Sequence, residues 1–500
     1  MEKRLVTMDK NKTAVLLYFL AITVSLIAVM CQIEEALSYD IWVDEAFSLR
    51  MIQHPYQNMI QLTAQDVHPP LYYIILKFGV DFLKLISGDT PEIFLAKLVS
   101  IVPFVLVLLL NCFWIRYKWG MEVSAFFSLC IAGAPQLTEY AVDIRMYGYA
   151  FLFVTVTFLI LFELIREESY SWLKGILFAG FSVMAAYTHY FALVSVGIAY
   201  VLLLVDILKK RRQFQDKIKF IVLAFIAVLC YLPWIFVLLR QIVSVKASYW
   251  IEDITIKTIW GYVLFAFDNI YCLLIFICVI GREIISKKIP NYIKSVLLYC
   301  ILCPVGTVLV GIVASIIIRP VFVERYMVPS LGTLWFAFCI SLALIKDKEY
   351  RYFIFLLSLV FCINHVSNFV ISEDTAKIES ERLITALKEE DNSIYVFENA
   401  RARNVMAALT GRNCYQFKEG IDELSLSVYE NLGTINMVEE ISTFIRSGIS
   451  AYWVETIDGS DLFPEDEIGV CGMQYKEIGK FSIENTIAKQ NIIIYKLELL

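Results

Sequence analysis

The sequence has few charged residues and only four histidines. Of its 500 residues, 18% are charged and 59% are hydrophobic, whereas a soluble globular domain is about a quarter charged and at most half hydrophobic. With a mean hydropathy of +0.67, the composition excludes an ordinary soluble protein. The net charge of −6 argues against a nucleic-acid partner, because such a partner selects a basic surface.

Several nucleotide- and metal-binding motifs are also missing. There is no Walker loop, no GxGxxG and no paired CxxC pattern, so sites for ATP, dinucleotides and structural zinc have no motif support. Ten of the 12 cysteines lie in or beside hydrophobic segments, where cysteine is usually a buried small hydrophobe. Cys414 and Cys471 lie outside those segments, and whether they form a disulfide stays open.

The sequence is rich instead in hydrophobic segments near the 20 residues that a transmembrane helix needs. We predict spans at 13–33, 91–115, 122–137, 148–165, 173–189, 190–208, 219–240, 257–281, 294–318, 327–345 and 352–371. The first span ends in Cys-Gln-Ile-Glu-Glu without a small-residue cleavage site, which favours a retained helix over a signal peptide. The fold class is therefore a polytopic α-helical membrane protein with about 11 transmembrane helices.

Lysine and arginine in the short loops predict the orientation of these spans. With eleven spans, the basic loop clusters and the N-terminal lysines and arginine fall on one side, which is then cytoplasmic. Residues 71–86 carry Lys77, Asp81 and Lys84, and counting them as a span would reverse every later loop. We therefore expect 71–86 to form an amphipathic helix on the outer membrane surface, within a first outer loop at 34–90.

The sequence becomes polar and acidic after residue 371 and has no further membrane-length run. Short strand patterns, for example at 392–397, alternate there with a helical pattern near 401–410. We predict two domains: a transmembrane domain at 1–371 and an extracytoplasmic α/β domain at 372–500.

The first two outer loops carry polar residues suited to chemistry. Asp44 and Glu45 are adjacent carboxylates, which suit a general base or a divalent cation, with a solvated acidic loop as the alternative. His68 precedes two prolines and is either a turn residue or a ligand. Arg145 lies where the chain re-enters the membrane, so it suits phosphate binding or simply extends to lipid headgroups.

Two further sites are predicted on the same side, at His189 with Tyr190 and at Arg325. Isolated structural roles explain poorly why four polar sites share one side of a helical bundle. Asp268 is the exception, because it lies within the span 257–281. Ionisable groups there are costly and usually face a cavity or a partner, and we expect a structural partner.

Four short motifs together resemble the bacterial GT-C glycosyltransferases, relatives of the protein O-mannosyltransferases and of the aminoarabinose transferase of lipid A. They are Asp44-Glu45-Ala-x-Ser, His68-Pro-Pro-Leu-Tyr-Tyr, Asp143-Ile-Arg145-Met-Tyr147 and Thr188-His189-Tyr190-Phe. The resemblance covers 13–345 and rests on the order and spacing of motifs that are individually weak. The family's Glu-Ala-Arg-Met-Tyr reads Asp-Ile-Arg-Met-Tyr here, a conservative departure that leaves the exact role of Asp143 at the site open.

The resemblance implies transfer of a sugar, with inversion, from a polyprenyl-phosphate donor to an extracytoplasmic acceptor. Asp44 would be the general base, assisted by Glu45, and Arg145 and Arg325 would bind the donor phosphate. The residues lining the site would be His68, Asp143, Tyr147, His189 and Tyr190.

The implied location is the bacterial plasma membrane, with membrane lipids, a donor and a protein, lipid or polysaccharide acceptor as partners. The need for a divalent cation stays open, as do the sugar and the acceptor. A transporter or flippase of lipid-linked sugars and a non-catalytic membrane scaffold are the alternatives.

Overall fold

The computed structural model describes residues 12–500 except 168, 211–212, 248–250, 252, 269, 286–288, 388–391, 458–462 and 484–489. The first part is helical. Its longer helices are α1 (Lys12–Glu35), α2 (Val43–Gln53), α3 (Tyr56–Thr63), α4 (Leu71–Ser87), α5 (Glu92–Leu110), α6 (Met121–Gly133), α7 (Pro135–Val142), α8 (Tyr147–Arg166), α9 (Trp172–Thr188), α10 (Tyr190–Lys209), α11 (Phe214–Ala247), α12 (Ile256–Phe267), α13 (Ile270–Ile285), α14 (Asn291–Ile317), α15 (Val328–Ala343) and α16 (Lys348–Leu387).

Eight of the helices that the structure describes are long and hydrophobic enough to cross a membrane. The bent pair α12 and α13 forms a ninth candidate, and α6 and α9 are shorter apolar helices. All eleven predicted segments are therefore helical, and the chain is a multi-pass membrane protein. Helix α8 lies at the centre of the bundle, because its hydrophobic stretch is completely buried.

The predicted span 257–281 is helical but bent, with a break that the sequence did not predict. Helices α12 and α13 meet at 70°. Asp268 between them has a φ of 65°, which lies in the left-handed region where an α-helix cannot continue. The break follows from this backbone conformation.

The bent pair still connects the two ends of the bundle. Tyr262 of α12 donates its hydroxyl to the carbonyl of Phe322 (2.8 Å), beside the residues that form the site described below. The helix after α13 begins at the opposite end, where Tyr292 donates to the carbonyl of Phe162 (3.1 Å). We interpret α12 and α13 as one broken span.

Residues 71–86 form a helix, α4, which is not among the candidate spans. The exposed apolar side chains of Phe78, Phe82, Leu85 and Ile86 lie along one side, whereas Lys77 turns back and donates to the carbonyl of Ile52 (2.8 Å). Helix α4 is therefore amphipathic, and its location on the outer membrane surface stays a prediction.

The C-terminal domain is an α/β sandwich, reached through the continuous helix α16. Its strands are β1 (Ser393–Phe397), β2 (Asn413–Phe417), β3 (Leu432–Ile435), β4 (Ser450–Thr456), β5 (Met473–Ile483) and β6 (Gln490–Leu499), and its helices are α17 (Ala400–Thr410), α18 (Glu423–Val428), α19 (Val438–Arg446) and α20 (Glu465–Val470). The sheet order is β3-β2-β1-β4-β6-β5. Strand β1 runs parallel to β2 and β4, while β6 is antiparallel to β4 and β5.

Alternate residues of the central strands face two different cores. Val396 and Trp453 belong to a core within the domain. Tyr395 and Phe397 instead join the hydrophobic core that continues into the helical bundle. Both faces of β1 are therefore covered, as expected for the centre of a parallel sheet. Cys414 and Cys471, whose pairing was open, are both free thiols.

Candidate active site

Helix α2 carries Asp44 and Glu45 in its first turn. Glu45 is buried and its two carboxylate oxygens accept from different main-chain N–H groups. One is that of Trp42 (3.0 Å) at the start of the helix, and the other is that of Ile144 (2.8 Å) in the segment between α7 and α8. Glu45 therefore joins the two outer loops that the sequence predicted to carry the site.

A buried ionic cluster lies close to Glu45. Lys97 donates to Asp40 (2.9 Å) and to Ser38 (2.8 Å), and the Ser38 hydroxyl lies within hydrogen-bond distance of the carboxylates of both Glu35 and Asp40, one of which accepts its single proton. Burial raises the pKa of Glu45 to about 7, against the opposing effect of the Lys97 charge. Lys97 was not among the predicted site residues, although a lone lysine within a hydrophobic span is itself a sign of a buried partner.

Arg145 brings three predicted site residues together. Its Nη1 donates to the main-chain oxygen of Asp44 (3.1 Å) and to Ser48 Oγ (3.3 Å), and its Nη2 lies 3.8 Å from Asp44 Oδ2. The same Nη2 donates to His68 Nε2 (3.0 Å). The main-chain N–H of Arg145 donates to the carbonyl of Asp143 (2.6 Å). These contacts fix a buried guanidinium group beside the carboxylate.

Arg325 approaches the same carboxylate from another part of the chain. Its Nη2 lies 3.5 Å from Asp44 Oδ2, and its guanidinium stacks over the rings of Trp42 (5.1 Å) and Tyr326 (5.9 Å). The Asp44 carboxylate is partly exposed and lies between two arginines from distant segments. An arrangement of this kind can bind a further anion, because each planar guanidinium has several donors.

The two histidines are adjacent and neutral. Their rings stack with centroids 5.9 Å apart. His68 Nε2 accepts from Arg145, so its proton is on Nδ1, whereas His189 Nδ1 accepts from the N–H of Phe191 (3.1 Å), so its proton is on Nε2. Burial and the nearby arginine charges lower the pKa of His189 to about 3 and hold that of His68 well below its usual range.

The remaining predicted residues surround this centre. The Tyr147 ring contacts His189 at 5.7 Å. Tyr190 accepts from Trp234 Nε1 (3.0 Å) and donates to Gln241. Asp143 is buried and participates through its main-chain oxygen. The structure thus gathers all nine predicted site residues (Asp44, Glu45, His68, Asp143, Arg145, Tyr147, His189, Tyr190 and Arg325) at one end of the bundle.

Asp66 and Tyr73, which were not among the predicted site residues, also lie here. Burial raises the pKa of Asp66 to about 6, opposed by the charge of Arg145. Tyr73 is fully buried, and the charges of Arg145, Asp66 and Asp44 all act on it. Tyr73 is the last residue of the His68-Pro-Pro-Leu-Tyr-Tyr motif, and Asp66 lies two residues before it, so both were within reach of the sequence argument.

An apolar groove runs from this site between α10, α11 and α14. Its cavity volume is about 260 Å³. His68, His189 and Tyr326 line its inner end, and Val194, Leu238 and Val310 are among the residues of its apolar wall. The groove suits a hydrocarbon chain whose polar head lies at the arginines.

Within the described residues, no group of three His, Cys, Asp or Glu side chains has the spacing to hold a metal ion. Two ring nitrogens that a cation would use, His68 Nε2 and His189 Nδ1, already accept hydrogen bonds.

The fold and site together define a class: a multi-pass membrane protein with an adjacent acidic pair and two arginines at one end of the bundle, joined to a C-terminal α/β domain. No family model matches the chain, and no curated protein matches its sequence. The solved structures that are similar to it in fold include two of the same protein.

Both structures are of ArnT from Cupriavidus metallidurans. The structure bound to undecaprenyl phosphate has a TM-score of 0.58 and 11% identity, and the apo structure has a TM-score of 0.56 and 10% identity. Each comparison covers 94% of this chain and 97% of the other. At this identity the likeness shows the fold alone, and the expected fold class, a polytopic α-helical membrane protein with a C-terminal α/β domain, is confirmed.

Proposed function

We propose that this protein is a glycosyltransferase that transfers a sugar from a polyprenyl-phosphate donor to an acceptor on the extracytoplasmic side of the plasma membrane. The observation that carries this proposal is the position of the Asp44 carboxylate, 3.8 Å from Arg145 and 3.5 Å from Arg325. The fold supports it, because the similar ArnT has been crystallised with undecaprenyl phosphate.

The groove and the arginines suit the two parts of such a donor. The polyprenyl chain would enter sideways from the membrane into the apolar groove. Its phosphate would then lie near Arg145 and Arg325, whose forked donors match phosphate oxygens. Negative charge grows on this phosphate as the glycosidic bond breaks, so fixed cations stabilise the transition state more than the ground state.

Asp44 would act as the general base. It removes the proton from the acceptor hydroxyl, whose oxygen forms a bond to the anomeric carbon on the face opposite the phosphate. The bond between that carbon and the phosphate oxygen breaks, and its electron pair leaves with the polyprenyl phosphate. A single displacement of this kind inverts the configuration of the sugar.

Asp44 and the donor phosphate would compete for the same two guanidinium groups. Donor binding then draws Arg145 and Arg325 partly away from Asp44 and leaves the carboxylate free to accept a proton. Glu45, whose oxygens are occupied by main-chain N–H groups, would position Asp44 rather than contact the acceptor. His68 would hold Arg145 in place through its Nε2.

A transporter of lipid-linked sugars is a second candidate, which the broken helix at Asp268 favours. Transporters often place discontinuous helices near their substrate sites. The contacts of Asp44 favour chemistry, since transport does not require a base held between two cations. A scaffold predicts that Asp44 can be replaced without consequence.

The test is transfer by the purified protein in detergent or liposomes, with radiolabelled polyprenyl-phosphate sugars and extracts of candidate acceptors. We expect a labelled acceptor with the wild-type protein and loss of transfer with Asp44→Asn. Asp89→Asn, which changes an exposed acid of the same loop, is the matched control. Assays with and without a chelator determine whether a divalent cation is needed.

Binding of undecaprenyl phosphate, measured separately, shows whether the Asp44 variant still has an intact site. Movement of the donor across a liposome membrane without a labelled product would support the transporter instead. Equal transfer by Asp44→Asn and wild type would contradict the assignment of Asp44 as the general base.

A further inference from the structure

The C-terminal domain packs directly on the helix that carries Asp44. Helix α17 lies against α2, and Leu49 and Met406 of these two helices belong to one continuous hydrophobic core. Helix α2, which carries Asp44, is therefore covered by the C-terminal domain.

Two side chains at the end of α2 donate to main-chain oxygens of the C-terminal domain. Arg50 Nη2 donates to the carbonyl of Ala407. His54 Nε2 donates to the carbonyl of Val428 (3.1 Å), and because a carbonyl only accepts, the His54 proton is on Nε2. On the transmembrane side of the same end, Lys77 of α4 donates to the carbonyl of Ile52 (2.8 Å). The end of α2 is thus held from both domains.

Tyr429, next to Val428, brings the domain close to the site itself. Its side chain is fully buried, and its hydroxyl has no hydrogen-bond partner in the part of the chain that the structure describes. Burial raises the pKa of Tyr429, and the charges of Arg50 and Asp44 both act on it. Tyr429 of the C-terminal domain therefore lies close enough to Asp44 for the two side chains to interact electrostatically.

We infer that the C-terminal domain is a positioning part of the active site, which sets the location of Asp44 by holding the far end of helix α2 through Arg50 and His54. This inference rests on the proposed function. The helix has 11 residues and is about 16 Å long. It behaves as a rigid rod, so a tilt at the His54 end moves Asp44 at the other end. A displacement of about 1 Å from reactive geometry can cost roughly 100-fold in rate.

The variants for the test are His54→Phe, which removes the donor, and His54→Gln, whose amide nitrogen replaces Nε2. Lys418→Ala breaks an exposed ion pair with Glu467 within the C-terminal domain and is the control for a change in that domain. The full-length purified proteins are compared for kcat, for the KM of the donor, for undecaprenyl phosphate affinity and for thermal stability.

We expect His54→Phe to lower kcat roughly 10- to 100-fold, with donor KM and undecaprenyl phosphate affinity within twofold of wild type. His54→Gln and Lys418→Ala should retain wild-type kcat. An unchanged kcat in His54→Phe would overturn this inference and leave the proposed function standing. A loss of lipid affinity or of thermal stability matching the loss of kcat would also overturn it, since His54 would then support folding only. Absence of transfer by the wild-type protein would overturn the proposed function and this inference with it.

Discussion

Arg145 holds Asp44 at two points: its Nη1 donates to the Asp44 main-chain oxygen (3.1 Å), and its Nη2 lies 3.8 Å from Asp44 Oδ2. The guanidinium thus fixes both the helix turn and its carboxylate. Few other side chains could do so, because the geometry needs a planar group with separate donors.

Arg145→Lys should therefore be severely impaired, although it keeps the charge. An ammonium group cannot reach the Asp44 main chain, Ser48 and His68 together, and we expect kcat to fall roughly 100-fold. Steady-state transfer kinetics provide the measurement. Arg401→Lys, at an exposed position of the C-terminal domain, is the control. A change of less than about threefold in Arg145→Lys would contradict its role at the phosphate.

His68 should be replaceable by glutamine but not by alanine. His68→Gln can present its amide oxygen to Arg145 Nη2, whereas His68→Ala leaves that donor without its partner. We expect His68→Gln to keep most of the wild-type kcat and His68→Ala to lose at least about tenfold, consistent with a lost hydrogen bond to a charged group. Equal loss in both variants would point to a direct role of the imidazole ring.

Filling the apolar groove should affect the donor and not the chemistry. Ala314 lines the groove, and Ala314→Phe should raise the donor KM about tenfold or more with little change in kcat, because uniform binding is lost. Val313→Phe changes the residue just before Ala314 in α14. Val313 is 52% exposed, so this control should have no effect on the donor KM. A short-chain donor should be less sensitive to Ala314→Phe. An equal effect with both donors would place the lipid elsewhere.

Asp66 should make stability depend on pH. Its folded-state pKa is about 6, above the value of about 4 in an unfolded chain. The folded state then binds more protons between these values, so its stability falls as pH rises from about 4 to about 6. Asp66→Asn lacks this term. The free energy of unfolding should therefore be larger in Asp66→Asn than in wild type at pH 7, and this advantage should be smaller at pH 4.5. The change in the advantage between the two pH values is at most about 3 kcal/mol, and less where solvent reaches the side chain. A difference between the two proteins that does not change with pH would contradict this assignment.

Much of the membrane part could be predicted because its signals are local. Hydrophobic segments predicted the helices, and the charges of Lys77, Asp81 and Lys84 separated α4 from the spans. The motifs around Asp44, His68 and Arg145 indicated one site, since their loops share one side of the bundle.

Other features depend on contacts between distant residues and could not be predicted from local patterns. Lys97 pairs with Asp40 across 57 residues, and nothing beside Lys97 indicates that partner. The break at Asp268 depends on a single left-handed backbone conformation. The sheet order of the C-terminal domain is set by strand pairing, which the alternation of short strands and helices does not specify.

The contact between Arg50 and Ala407 joins residues 357 positions apart in sequence, which has a consequence for biogenesis. The ribosome makes helix α2 early, and every later span must enter the membrane before the chain that covers α2 is synthesised. Until then, helix α2 lacks its contacts with the C-terminal domain and is held by the membrane part alone. On the proposed function, a chain that stalls or is cut after its last span would stay anchored in the membrane without the C-terminal contacts of α2, and we expect it to be inactive in transfer.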